Sequence, residues 1–207
     1  MRSYKQYCGV ARALDLVGSR WALLILRDLL PGPRRFSELK RPGLTPNVLS
    51  QRLSELSDAG LIHAITLPPP ASRKVWALTD QGQRIRPVVL ALGEFGFPFL
   101  RDTPEATKDI RFLMVSLERR YQGGLSPCTI QLVVGGLPFQ LRVGDGLRAV
   151  DGVHPEPDVT VSGPVSAVIP ALTGGPSDST AFTVAGEASL WLQLCQALAP
   201  LPLEPPA

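Results

Sequence analysis
A chain of 207 residues, 44% hydrophobic and 19% charged, can build a packed core as one large domain or two small ones, which excludes a disordered polymer. Its 21 prolines and 19 glycines punctuate apolar segments without any repeat, which excludes collagen-like and low-complexity chains. The net charge of +3 hides an asymmetry, because residues 1–100 carry 14 Lys/Arg against 7 Asp/Glu while residues 101–207 carry 7 against 11; a basic module suited to a polyanion is joined to an acidic one.

In the basic half, residues 10–17 predict a short helix ended by Gly18. Ser19 is placed to cap a second helix, Arg20 to Leu30, with Trp21, Leu24, Ile25 and Leu29 at helical spacing. Pro31-Gly32-Pro33 stops it, and a third short helix fits Phe36 to Lys40, with Arg34 and Arg35 at its entrance. The fourth segment is the most informative. Thr45 is a good N-cap, Pro46 suits the first helical position, and Gly60 terminates a helix reaching about Ala59. Leu49, Leu53 and Leu56 form its buried stripe. The opposite face carries Asn47, Gln51 and Ser54, flanked by Thr45, Ser50 and Arg52. An ordinary solvated face has more Glu and Lys, whereas Asn, Gln and Arg match the donors and acceptors of base edges in a major groove. Short helices, a tight turn and such a helix predict a helix-turn-helix.

Leu61 to Leu67 and Arg73 to Leu78 then read as two strands joined by a stiff Pro68-Pro69-Pro70-Ala71-Ser72 tip, the wing of a winged helix, with Arg73 and Lys74 where a wing meets the phosphate backbone. Thr79 is expected to cap a long helix from Asp80 to Leu100, whose Ile85, Val88, Val89, Leu92, Phe95 and Phe99 form an apolar face fit for a dimer seam.

The acidic half opens with a polar link, 101–107, and a helix expected from Pro104 to Tyr121 with Ile110, Leu113, Met114 and Leu117 as its stripe. Period-two strands follow around residues 129–134, 139–143, 147–150 and 158–163. A short helix after Pro164, a strand at 181–184 and a helix at 187–198 complete an α+β pattern with an antiparallel sheet. Leu113, Leu117, Phe139, Leu141, Val165, Ile169, Phe182, Trp191 and Leu194 would line either a cavity or a filled core, and the residues alone leave both open.

Residues 7–97 resemble the HxlR-type winged-helix regulators of bacteria and archaea. The resemblance rests on a cysteine before the first helix and on GSRW, GPRRFSEL, LSQRLSELSDAGL and LTDQG, in order. It implies a homodimer on a partly palindromic DNA operator, with residues 45–54 as recognition helix and 68–74 as wing. His63 departs from the charged residue often found at its position. The base-reading set is then Thr45, Asn47, Ser50, Gln51 and Ser54, and the phosphate set Arg34, Arg35, Ser37, Arg52, Arg73 and Lys74. Some members of this type are thiol sensors, and Cys8 matches their N-terminal cysteine, with Arg12 and Lys5 nearby. Residues 105–199 resemble the sterol-carrier-protein type-two-like domain through FQLRVGDGLRAVDG, PDVTVSGP and the Gly186-Glu187 pair. That resemblance implies an apolar tunnel for fatty acyl or sterol-like ligands.

The fold expected is therefore α+β: a winged helix-turn-helix domain over residues 1–101, then a sterol-carrier-like domain over 102–207. The function expected is a DNA-binding repressor whose second domain senses an apolar molecule. The alternatives are an apolar-ligand carrier whose winged helix only dimerises or binds protein, and a redox regulator acting through Cys8. No apolar run approaches the ~20 residues that span a bilayer, and MRSYKQYCGV lacks the apolar stretch of a signal peptide. Three cysteines far apart suit reduced thiols in the cytoplasm. His63 and His154 lie apart from any cysteine pair, and neither a phosphate-binding glycine loop nor a nucleophile elbow is present, so no metal, cofactor or enzymatic activity is expected.

Overall fold
The computed structural model describes residues 3–67, 73–100 and 109–200. The chain divides into two compact units, Met1–Val89 and Leu90–Ala207. The joint expected near Asp102, the link at 101–107 and the wing tip at 68–72 lie outside the described residues. No described helix is long and apolar enough to cross a membrane.

The first unit holds α1 (Gly9–Val17), α2 (Ala22–Leu29), a 3-10 helix (Phe36–Leu39) and α3 (Pro46–Asp58). An antiparallel hairpin, β1 (Ile62–Thr66) and β2 (Lys74–Leu78), and α4 (Asp80–Gln83) follow. The helix expected from Arg20 starts later, because Trp21 takes a left-handed backbone (φ 80°), and Ser19 contributes its carbonyl to the Ala22 N–H rather than a side-chain cap. That conformation costs a bulky residue about 1–2 kcal/mol. The Arg20 guanidinium lies 5.2 Å from the indole, and the ring edge reaches Gly43, where a Cβ would lie 3.7 Å from it. Leu24, expected in the apolar stripe, is exposed, and Leu26 is buried in its place.

Two polar ties fix the unit's interior. Asp28, buried, accepts from Arg27 and Arg41 at 2.7 Å each, which holds α2 against the turn before α3. Arg34 exchanges two backbone hydrogen bonds with Trp76, of 2.9 and 2.7 Å, a single β-bridge that ties its segment to the hairpin.

The long helix expected from Asp80 to Leu100 is broken. It splits into α4, α5 (Arg86–Gly96) and a 3-10 turn (Phe97–Phe99). Pro87 explains the break: it lacks the N–H that would bond the Gln83 carbonyl and its ring crowds that carbonyl, so α4 ends at Gln83. Arg86, buried, instead donates to the Leu30 carbonyl at 2.7 Å.

The second unit holds α6 (Ile110–Arg120), β3 (Cys128–Val134), β4 (Leu137–Val143), β5 (Leu147–Asp151) and β6 (Val159–Gly163), then α7 (Val165–Thr173), β7 (Thr183–Gly186) and α8 (Ala188–Ala197). The start of α6 is Asp109, whose carboxylate accepts from the Arg111 N–H; the earlier start at Pro104 lies outside the described residues. The sheet order is β5-β4-β3-β6-β7, and β6 runs parallel to β3, so the sheet is mixed rather than antiparallel. The chain crosses from the β5 edge to the far side of β3, and buried Gln131 pins that crossing: its carbonyl accepts from His154 N–H at 2.8 Å and its amide donates to the Gly152 carbonyl at 3.2 Å. Period-two hydrophobicity sets which side chains face inward and is silent on strand order.

Ile130, Leu132, Phe139, Leu141, Val159 and Val161 build one core with Met114, Leu117, Val168, Leu172, Trp191 and Leu194. Arg120, 3% exposed, bonds the Leu172 carbonyl near the end of α7 and the Ala199 carbonyl after α8, at 2.7 and 2.6 Å. Burial, with Arg119 beside it, lowers its pKa to about 10. The partial negative charge of helix C-termini compensates a cation so placed.

Close packing around Gly82 gives a direct test. A Cβ there would lie 1.9 Å from the Leu61 carbonyl oxygen. Gly82→Ala is therefore expected to destabilise the first unit by about 3 kcal/mol, read as a lowered urea midpoint; an unchanged midpoint would contradict the packing.

Candidate nucleic-acid interface
The site is built on α3. Thr45 accepts the Val48 N–H at its start, and Gly60 (φ 70°) follows its end. Leu49, Leu53 and Leu56 are buried to within 1%. That stripe turns Thr45, Asn47, Ser50, Gln51 and Ser54 outward, all exposed on one face, as their spacing predicts. Beside it a groove of about 450 Å³ runs between α3 and the hairpin, lined by Phe36, Ser50, Ser54, Asp58, Lys74 and Trp76 among others. The hairpin side of this groove is cationic, with the Lys74 ammonium 5.2 Å from the Trp76 ring.

The cations separate into two sets. Arg35, Ser37, Arg73 and Lys74 are exposed. Arg34 is not: it is 4% exposed, and its guanidinium donates to the Pro33 carbonyl at 3.1 Å. The backbone pairing with Trp76 draws it inward, so it cannot serve as the phosphate contact that its neighbourhood suggested. Arg52 is also withheld, since its side chain is 19% exposed and pairs with Glu55. The same carboxylate accepts the Gln51 amide at 3.0 Å. Glu55 is the residue that reading the outer face overlooked. The signal was present as an Arg52–Glu55 pair at i, i+3 and a Gln51–Glu55 pair at i, i+4.

Cys8 is exposed at the N-terminal end of α1, where the backbone N–H groups of Ala11 and Val10 hold its thiol below the usual range. Cys128 is pushed up by burial and by Asp158 and Glu187. Burial pushes Cys195 up to about 12.

In the second unit the nine expected lining residues do not form one class. Leu117, Phe139, Leu141, Trp191 and Leu194 are buried together in the core. Leu113, Ile169 and Phe182 pack against it, with the Phe182 and Trp191 rings edge to face at 5.9 Å. Val165 is 49% exposed at the start of α7 and lines no interior. Among the described residues, no group of three or more His, Cys, Asp or Glu could hold a metal ion.

The HxlR-like helix-turn-helix family matches residues 16–103. An HTH-type transcriptional regulator of Synechocystis, sll1512, is 33% identical over 95 residues, which is 45% of this chain and 70% of that protein. YvaP of Bacillus subtilis, of the same type, is 38% identical over 80 residues, 38% of this chain and 74% of its own. Among solved structures, the oxidised redox regulator HypR is 30% identical and covers 46% of this chain and all of its own, with a TM-score of 0.42. The reduced regulator YodB of B. subtilis is 27% identical, covering 46% of this chain and 97% of its own, with a TM-score of 0.40.

The three thiols should separate kinetically. Iodoacetamide at neutral pH is expected to alkylate Cys8 first and Cys128 more slowly, and Cys195 only after unfolding, because the thiolate is the nucleophile. Peptide mass spectrometry reads the order, and labelling of Cys195 as fast as Cys8 would contradict these environments.

Proposed function
The chain belongs to the HxlR-like helix-turn-helix family of transcriptional regulators, and we propose that it is a dimeric repressor that reads a partly palindromic DNA operator through the outer face of α3. The family's relatives are regulators rather than enzymes. The observation that carries the reading is the exposed row of Asn47, Gln51 and Ser54 beside a groove edged by Lys74. Amide side chains discriminate base edges, while exposed cations meet the phosphates whatever the sequence. In this reading Asn47, Gln51 and Ser54 read bases, Thr45 and Ser50 flank them, and Arg35, Ser37, Arg73 and Lys74 set register. The basic balance of residues 1–100 supports a polyanion as partner.

Dimerisation is supported by α5 and the turn after it. Val88, Leu92, Phe95, Phe99 and Leu100 are all exposed in the single chain, Phe95 and Phe99 by more than 70%. Exposed apolar side chains along one helix and the turn after it, such as Leu92, Phe95, Phe99 and Leu100, need a cover, and a second copy supplies one with two-fold symmetry. The second unit serves as input. Its sterol-carrier-like sequence and its apolar interior suit a fatty acyl or similar effector, which would enter by displacing packed side chains such as Phe182 and Trp191.

A second reading rests on Cys8. An exposed thiol held low by backbone amides is the kind that oxidants reach first. If it switches the protein, diamide releases DNA from the wild type and not from Cys8→Ser; equal release from both removes this reading.

Two outcomes check the proposal. On a duplex selected from a random pool, Gln51→Ala is expected to relax sequence preference by about 1–3 kcal/mol, as for loss of a bidentate base contact. Arg35→Ala should instead weaken all duplexes alike and flatten the salt slope by about one unit. Equal loss by Gln51→Ala on selected and random DNA would contradict the assignment. Native mass spectrometry of the intact chain should show a dimer carrying extra apolar mass. A bare monomer would contradict both the seam and the input role.

A further inference from the structure
Glu55 occupies an unusual position for an acid. It stands on the helix proposed to meet DNA, on the flank of its outward face, where a carboxylate repels phosphate. Both of its oxygens are committed: Oε1 accepts the Gln51 amide at 3.0 Å and Oε2 pairs with the Arg52 guanidinium. The pair is partly sheltered, with side-chain exposures of 19% for Arg52 and 31% for Glu55. The Nε of Arg52 is buried without a hydrogen-bond partner, and Glu55 is the carboxylate that pairs with its guanidinium. An ionised carboxylate only accepts hydrogen bonds, so the orientation of the Gln51 amide is decided by chemistry: its NH2 turns to Glu55 and its carbonyl oxygen is left outward.

We propose that Glu55 is a positioning residue for sequence discrimination, which fixes the orientation of the Gln51 amide toward the bases and withholds Arg52 from the phosphates. This rests on the reading of α3 as the base-reading helix. A Gln amide held with its carbonyl outward meets a base edge that donates, such as the exocyclic amine of adenine or cytosine. The guanine major-groove edge presents two acceptors and asks for two donors, one of which Glu55 already holds. Arg52, neutralised by the same carboxylate, adds no sequence-blind attraction. One acid thereby sharpens specificity in two ways, by orienting a reader and by silencing a cation.

The test uses the full chain and a pool of randomised short duplexes, with binding measured over a series of salt concentrations. Glu55→Ala is expected to admit guanine at one position per half-site, with discrimination there falling by about tenfold. Its salt slope on random duplex should steepen by about one unit per recognition helix, as Arg52 reaches phosphate. Glu55→Gln keeps the shape and an acceptor for Gln51 but loses the charge, so it should steepen the slope while keeping the base preference. Adding Arg52→Ala to Glu55→Ala should return the slope to that of the wild type. A merely structural role would lower the melting temperature and move neither readout. Wild-type slope and wild-type preference in Glu55→Ala and Glu55→Gln would overturn the proposal. A wild-type chain that retains no duplex at low salt would overturn the DNA-reading role beneath it.

Discussion
Leu49, Leu53 and Leu56 are each no more than 1% exposed, and their burial decides what α3 can offer to a partner. Each buried leucine contributes about 2 kcal/mol. Surface pairs on the same helix contribute tenths of that. Rotating α3 to hide its amides would therefore cost far more than any polar contact returns. The stripe fixes the azimuth of the helix, and the azimuth fixes Asn47, Gln51 and Ser54 outward. The neighbouring ties follow from the same need to hold α3 in place. Asp28 joins α2 to Arg41 just before the helix, and the Arg34–Trp76 backbone pairing holds the hairpin beside it. A recognition surface made of short side chains requires such a frame, since an error of 1 Å in placement defeats a bidentate contact.

Much of this frame was legible in the sequence because its signals are local. The Thr45 cap, Pro46, the Leu spacing and Gly60 all act within one helix, and together they define α3. What escaped depends on partners distant in the chain. Arg34 looks like a surface cation until its backbone pairs with Trp76, which lies beyond α3 and β1. The parallel pairing of β6 with β3 is a matter of strand order, which the alternation of Val159 and Val161 with polar residues does not encode. The break at Arg84–Ile85, just ahead of Pro87, was readable from the proline, and the apolar run around it masked the signal. The left-handed Trp21 is the opposite case: local propensity argues against it, and no neighbour in the sequence announces it.

Glu55 shows why an outward face cannot be read as an inventory of residue types. Gln51 and Arg52 are both matched to DNA by chemistry, yet one carboxylate occupies a donor of each. In the proposed reading, the free protein thus carries its own competitor for the bases and phosphates. The cationic charge available to a polyanion lies elsewhere, on Arg35, Arg73 and Lys74, where phosphate contacts set position without reading sequence. The acidic second unit contributes nothing to that attraction. Its interior is a core tied at the ends of α6, α7 and α8 by Arg120.

In the proposed function, α3 enters a major groove with its amide face toward the bases. Methylation interference on a duplex selected from a random pool measures this directly, since dimethyl sulfate modifies guanine N7 in the major groove. Methylation is expected to block binding at two clusters about 10 base pairs apart, one for each recognition helix of a dimer. Binding indifferent to major-groove methylation would contradict it.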